Sequence, residues 1–130
     1  MSARVLMVDD EPDAEELFRQ NFRREIRKGI FVFDFALSGS EALKFLDSEE
    51  VPETILILSD INMPGMTGIE LLETIKTKWP DIPIFMITAY GDKQTEIIVR
   101  EKGASEFLTK PVDYQILKNQ LLTIVAEVSE

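Results

Sequence analysis

Five short apolar runs, each followed by a stretch of helical periodicity, constrain this chain more than any other feature. The runs are Val5-Leu6-Met7-Val8, Ile30 to Ala36, Ile55 to Leu58, Ile82 to Thr88 and the weaker Glu106-Phe107-Leu108. Near-continuous apolar strands are those of a sheet covered on both faces, and a strand that returns through a helix pairs in parallel. In the second run Phe31, Phe33 and Phe35 alternate with Val32, Asp34 and Ala36, the pattern of a strand at a sheet edge. Five β-α units without an internal linker or repeat predict an α/β fold. It is a doubly wound, five-stranded parallel (βα)5 sheet of order 2-1-3-4-5, forming one domain over residues 1–130.

The helix signals support that reading. Pro12 stands at a first helical position, and Ala14, Leu17, Phe18, Phe22 and Ile26 make an apolar stripe that predicts one long helix ending at Gly29. Its acids come early and its bases (Arg19, Arg23, Arg24, Arg27, Lys28) late, as the helix dipole favours. Ser38 to Glu41 and Thr67 to Glu70 both fit the capping box that starts a helix. Asp92 caps a fourth helix, and Asp113 a fifth whose apolar stripe runs to Val128 without a Gly or Pro stop. That missing stop points to a longer protein continuing after the fifth helix, with a stand-alone single-domain protein as the alternative.

Composition removes whole classes of chemistry. The chain lacks cysteine and histidine, which excludes a disulfide framework, thiol catalysis, a cysteine-held metal and a Ser-His-Asp triad within it. At this length a core of its own suffices for folding, so a bound metal would be there for function. The formal charge of −10 disfavours nucleic acid and anionic membrane as partners. The apolar run at Val5 is too short for a leader or a membrane span, and a cytoplasmic location is expected.

In an open sheet of this order, ligands bind in the crevice beyond the carboxyl ends of strands 1 and 3. Strand 1 leads into Asp9-Asp10-Glu11 and strand 3 into Ser59-Asp60, so the topology converges several carboxylates there. Such like charges require either a proton held with a raised pKa or a hard divalent cation. Oxygen donors alone suit Mg²⁺ or Mn²⁺. Strand 4 ends in Thr88-Ala89-Tyr90 and strand 5 in Thr109-Lys110-Pro111, bringing a hydroxyl and an ammonium to the same rim. Carboxylates, a hydroxyl and a lysine together point to phosphoryl chemistry, in which an aspartate can be the nucleophile.

Along essentially its whole length the chain resembles the receiver (phosphoacceptor) domain of two-component response regulators. Val8-Asp9-Asp10-Glu11-Pro12 is similar to the family's acidic metal pair and Ser59 to Gly68 to its phosphoacceptor loop. Thr88-Ala89 is similar to its switch pair and Lys110-Pro111 to its final motif. The resemblance implies a flavodoxin-like receiver fold and a signalling module that catalyses only its own phosphotransfer and autodephosphorylation. Asp60 is then the phosphoacceptor, Mg²⁺ is held by Asp9, Asp10, Asp60 and the Asn62 backbone carbonyl, and Thr88 and Lys110 hold the phosphoryl oxygens. Ala89 leaves room for the incoming group, the Lys110-Pro111 bond is cis, Thr88 and Phe107 form the switch, and Asn62 and Tyr90 modulate phosphoryl lifetime. The implied partners are a histidine kinase or histidine phosphotransfer protein and an output domain or effector. The latter, or a second copy, docks on the fourth helix, fifth strand and fifth helix.

Two other functions compete for these residues. A small Mg²⁺-dependent phosphatase working through an aspartyl phosphate requires a second carboxylate two residues after its nucleophile, where Asn62 cannot titrate. A flavin-binding electron carrier of the same fold needs a phosphate-cradling loop after strand 1, where Asp9, Asp10 and Glu11 stand instead.

Overall fold

A computed structural model describes residues 3–48 and 52–129, with side chains to residue 127. Strands β1 (Ala3–Val8), β2 (Phe31–Ala36), β3 (Thr54–Asp60), β4 (Ile84–Thr88) and β5 (Glu106–Thr109) form one sheet in the order β2-β1-β3-β4-β5. Every pairing is parallel. The alternating Phe31-Phe33-Phe35 strand is indeed an edge, and half-exposed β5 is the other. The central β3 and β4 are buried almost throughout, as strands covered on both faces must be.

The helices are α1 (Pro12–Asn21), α2 (Arg23–Arg27), α3 (Gly39–Asp47), α4 (Gly68–Lys78), α5 (Lys93–Glu101) and α6 (Tyr114–Ser129). Side chains alternate across each strand, so one sequence feeds two cores. Val5 and Met7 join Phe18 of α1, Phe22 just after it and Leu117 and Leu121 of α6 on one face. Leu6 and Val8 join Ala42 and Leu46 of α3, Leu71, Leu72 and Ile75 of α4 and Val99 of α5 on the other.

Two expectations change in detail. The long first helix is broken at Phe22, whose backbone leaves the helical region (φ −110°, ψ 17°), and a second short helix carries the chain to Gly29. Phe22 packs with Phe18, Phe31, Phe33 and Tyr114, and that packing accompanies the break. The Ser38 capping box closes on one side only: Ser38 accepts the Glu41 N–H, while the Glu41 carboxylate takes the Leu37 N–H at 2.7 Å. The Thr67–Glu70 box is complete. The apolar stripe of α6 runs through Leu117, Leu121, Ile124 and Val125, and the Val128 side chain lies outside the described residues. Asp92 and Asp113 cap their helices through the Thr95, Gln115 and Ile116 N–H groups.

Candidate functional site

The carboxyl ends of β1, β3, β4 and β5 meet at one rim. Asp9 follows β1, Asp60 ends β3, Thr88 ends β4 and Lys110 follows β5. One carboxylate oxygen from each of Asp9, Asp10 and Asp60 lies within 4.8 Å of the others. Asp9 and Asp60 are buried and Asp10 is half-buried. The Asp9 carboxylate accepts the Glu11 N–H at 3.0 Å, which fixes its rotamer.

Lys110 closes the cluster. Its Nζ donates to Asp60 Oδ2 at 3.2 Å and to Asp9 Oδ2 at 3.4 Å, while its backbone N–H reaches the Thr88 carbonyl at 2.8 Å. Burial pushes the Asp60 carboxyl above its usual range, Lys110 pulls it back only in part, and Asp9 adds to the rise. Burial alone would lower the Lys110 ammonium, but Asp9 and Asp60 outweigh it and hold it above its ordinary value. Three carboxylates against one ammonium leave two uncompensated negative charges, and all the donors are oxygen. A divalent hard cation fits that set.

The loop after β3 is fixed by its own sequence. The buried side chains of Ile61 and Met63 anchor it, Gly65 supplies a φ of +75°, and Gly68 lets α4 begin against the strand end. A Cβ on Gly68 would stand 2.6 Å from Ile61 Cα and run into the Asp60 carbonyl. Gly68→Ala should therefore cost about 1–3 kcal/mol, and chemical denaturation would measure it.

Thr88 stands beside the acids and accepts two hydrogen bonds, from Asn62 Nδ2 at 3.2 Å and from the Tyr90 N–H at 3.1 Å. Its own hydroxyl proton is thereby left to donate. The Asn62 backbone N–H also donates to Asp60 Oδ1 at 3.3 Å. Ala89 is exposed and Tyr90 is 73% exposed at the rim. Phe107 pairs with Met86 across the β4–β5 ladder and packs, half-buried, against the α3–α4–α5 core. The Lys110-Pro111 bond is cis. All the residues marked in the sequence thus gather here except Phe107, which sits within β5, three residues before Lys110.

Two features were not legible in the sequence. The Asn62–Thr88 bridge spans 26 positions and joins two loops that only the fold brings together. Tyr114, the first residue of α6, lines a cavity of about 280 Å³ together with Asp9, Lys110 and Phe18. Burial raises its phenol, with Lys110 opposing and Asp9 adding to the shift. Its place just after the Lys110-Pro111 loop was the one available clue.

The family model of the response regulator receiver domain matches residues 5–122. Among curated proteins, the response regulator protein PilR of Pseudomonas aeruginosa is 38% identical over 122 residues, covering 92% of this chain and 25% of its own length. The response regulator RppA of Synechocystis is 31% identical, over 83% of this chain and 44% of its own. The chain therefore spans less than half the length of either relative. A CheY-like receiver domain from Methanospirillum hungatei superposes with a TM-score of 0.84 at 26% identity, covering 98% of this chain and 96% of that one. A response regulator from Chloroflexus aurantiacus gives 0.82 at 27%, covering 97% and 99%. With the sheet order, the acidic cluster and the lysine already in place, these matches assign the chain to the response regulator receiver domain family, and its function to two-component signal transduction.

Proposed function

We propose that Asp60 accepts the phosphoryl group and that Asp9, Asp10 and Asp60, with the Asn62 backbone carbonyl, hold a Mg²⁺ ion, Mn²⁺ being the alternative. The observation that carries this reading is the pairing of three clustered carboxylates with a single ammonium. An Asp60 carboxylate oxygen attacks the phosphorus of a phosphohistidine, the P–N bond breaks, and the imidazole leaves with the electron pair and takes up a proton. The metal supplies positive charge for the transferring phosphoryl oxygens. Lys110 moves from the carboxylates to one of those oxygens, and Thr88 donates its hydroxyl proton to another. The Asn62 side chain is an amide and cannot titrate, so it supplies no proton shuttle for rapid hydrolysis, and with exposed Tyr90 it sets how easily water reaches the acyl phosphate.

Thr88 is the start of the switch. When its hydroxyl turns to the phosphoryl group it gives up its bonds to Asn62 and Tyr90, which loosens the loop before α5 and makes room for Phe107 to move inward. The surface of α5, β5 and α6 changes with it, and Ile97, Ile116 and Leu122 are exposed apolar side chains on those helices. An output domain, an effector or a second copy binds there, with a coupling to Asp60 occupancy of about 1–3 kcal/mol. The phosphoryl donor is a cytoplasmic histidine kinase or histidine phosphotransfer protein. Among the described residues, no helix is long and apolar enough to cross a membrane.

Amide NMR of free and beryllofluoride-treated protein tests the switch, with Thr88→Ala as the control. Shifts should extend from Asp60 to Phe107 and α5 in the wild type and stay local in the variant. Confinement to the neighbours of Asp60 in both would defeat the switch. Calorimetric Mg²⁺ titration should show Asp10→Asn binding weaker by roughly tenfold or more, since one of the carboxylates that hold the cation is gone. Unchanged affinity would count against the metal cluster.

A further inference from the structure

Tyr114 brings a hydroxyl close to the acid cluster, and the phosphoryl chemistry described above gives it no task. It is the first residue of α6, half-buried, with its ring held edge-on by Phe18 and Phe22 at centroid distances of 5.4 and 6.2 Å. Tyr114 lines the cavity of about 280 Å³ that Asp9 and Lys110 also line, and both of them act on its phenol. Burial raises that phenol, with Lys110 opposing and Asp9 adding to the shift, so at neutral pH it keeps its proton and can donate it. The other side chains around the cavity are apolar or, at Glu11 and Asp13, carboxylates. Among the described residues, Lys110 and Tyr114 are thus the only side-chain proton donors that line it.

Phosphoryl transfer makes a second donor necessary there. Asp9 is buried, its Oδ1 accepts the Glu11 N–H at 3.0 Å and its Oδ2 accepts the Lys110 ammonium at 3.4 Å. When Lys110 turns to a phosphoryl oxygen, Oδ2 loses that donor, and a buried acceptor stripped of its partner is costly. A cation that balances the charge of the cluster does not remove the requirement, because a ligating carboxylate keeps further lone pairs and is oriented by the hydrogen bonds it accepts. Among the described residues the phenol makes no direct hydrogen bond, and its ring is packed against two others. The cavity has room for a bridging water, with Asp9, Lys110 and Tyr114 as its polar partners.

We propose that Tyr114 is a positioning residue for phosphoryl transfer: its hydroxyl orients a water in the cavity that donates to the Asp9 carboxylate as Lys110 leaves, keeping Asp9 in the rotamer that holds the cation. This rests on the reading of Asp60 as phosphoacceptor and deepens it by naming the group that lets the lysine go. The Tyr114 ring serves the aromatic core and its hydroxyl serves the reaction, so substitution can separate the two.

Tyr114→Phe keeps the ring and removes the hydroxyl. Denaturant unfolding of wild type, Tyr114→Phe, Lys110→Ala and the double variant in metal-free buffer forms a cycle that needs no phosphorylation. With Lys110 in place, Tyr114→Phe should leave the folding equilibrium within about twofold of wild type. In the Lys110→Ala background the phenol is the side-chain donor that remains at the cavity, and its loss should lower the folding equilibrium about tenfold. With acetyl phosphate and Mg²⁺, Tyr114→Phe should gain its adduct about tenfold more slowly than wild type, followed by intact mass. An equal folding cost in both backgrounds, or an adduct that forms at the wild-type rate, would overturn the proposal. Wild-type protein that takes up no phosphate would instead overturn the reading of Asp60, and the folding cycle would still decide whether the hydroxyl serves Asp9.

Discussion

Replacing Phe22 by alanine should destabilise the domain by about 3–5 kcal/mol, the range for emptying a fully enclosed aromatic site. Phe22 is 0% exposed, stacks on Phe18 at 5.7 Å and meets Phe31, Phe33 and Tyr114 with ring centroids 5.0–6.2 Å away. It also sits where α1 gives way to α2, so its loss removes the packing on which that break rests. For a chain of this size the melting temperature should fall by roughly 10–20 °C. Phe35→Ala is the comparison. That ring is half-buried on β2 and covered on one side by the Arg19 guanidinium at 4.9 Å, so its removal should cost no more than about 2 kcal/mol. Equal losses at the two positions would mean that the aromatic cluster is not the centre of that core. At a temperature where Phe22→Ala remains folded it should still accept phosphate, because α1 contributes no atom to the acid cluster.

What the sequence revealed and what it concealed divides along physical lines. Strand positions were legible because burial on both faces leaves a run of apolar residues that no other environment requires, and the alternation in β2 marked an edge for the complementary reason. The acids, Thr88 and Lys110 were legible because each stands just past a strand, where chain direction alone decides which rim it reaches. The break at Phe22 was hidden, since its apolar spacing suits an unbroken helix as well as two short ones. The Ser38 box looked complete because residue types at fixed spacing do not say which of two adjacent N–H groups a flexible glutamate takes. The Asn62–Thr88 hydrogen bond and the cavity under Tyr114 depend on how loops from distant parts of the chain meet, and local pattern carries no trace of that.

Asp60→Asn should abolish phosphorylation altogether. The amide keeps the shape of the carboxylate and lacks the nucleophilic oxygen pair, so the substitution removes the chemistry and leaves the fold. It should also raise the melting temperature in metal-free buffer. Burial lifts the Asp60 carboxyl above its unfolded value, so the ionised form costs stability at neutral pH, a cost that falls as pH drops through the folded pKa and that the amide avoids at every pH. Mg²⁺ should stabilise the wild type by RT ln(1 + [Mg²⁺]/Kd), about 2.7 kcal/mol at a hundredfold excess over Kd, and stabilise the variant less.

The most direct test of the account is the intact mass of the wild-type and Asp60→Asn proteins after incubation with acetyl phosphate and Mg²⁺. A single phosphate adduct on the wild type, absent when Mg²⁺ is removed and absent from the variant, is the predicted result. An adduct that persists at full level in Asp60→Asn would contradict it and place the phosphoacceptor elsewhere.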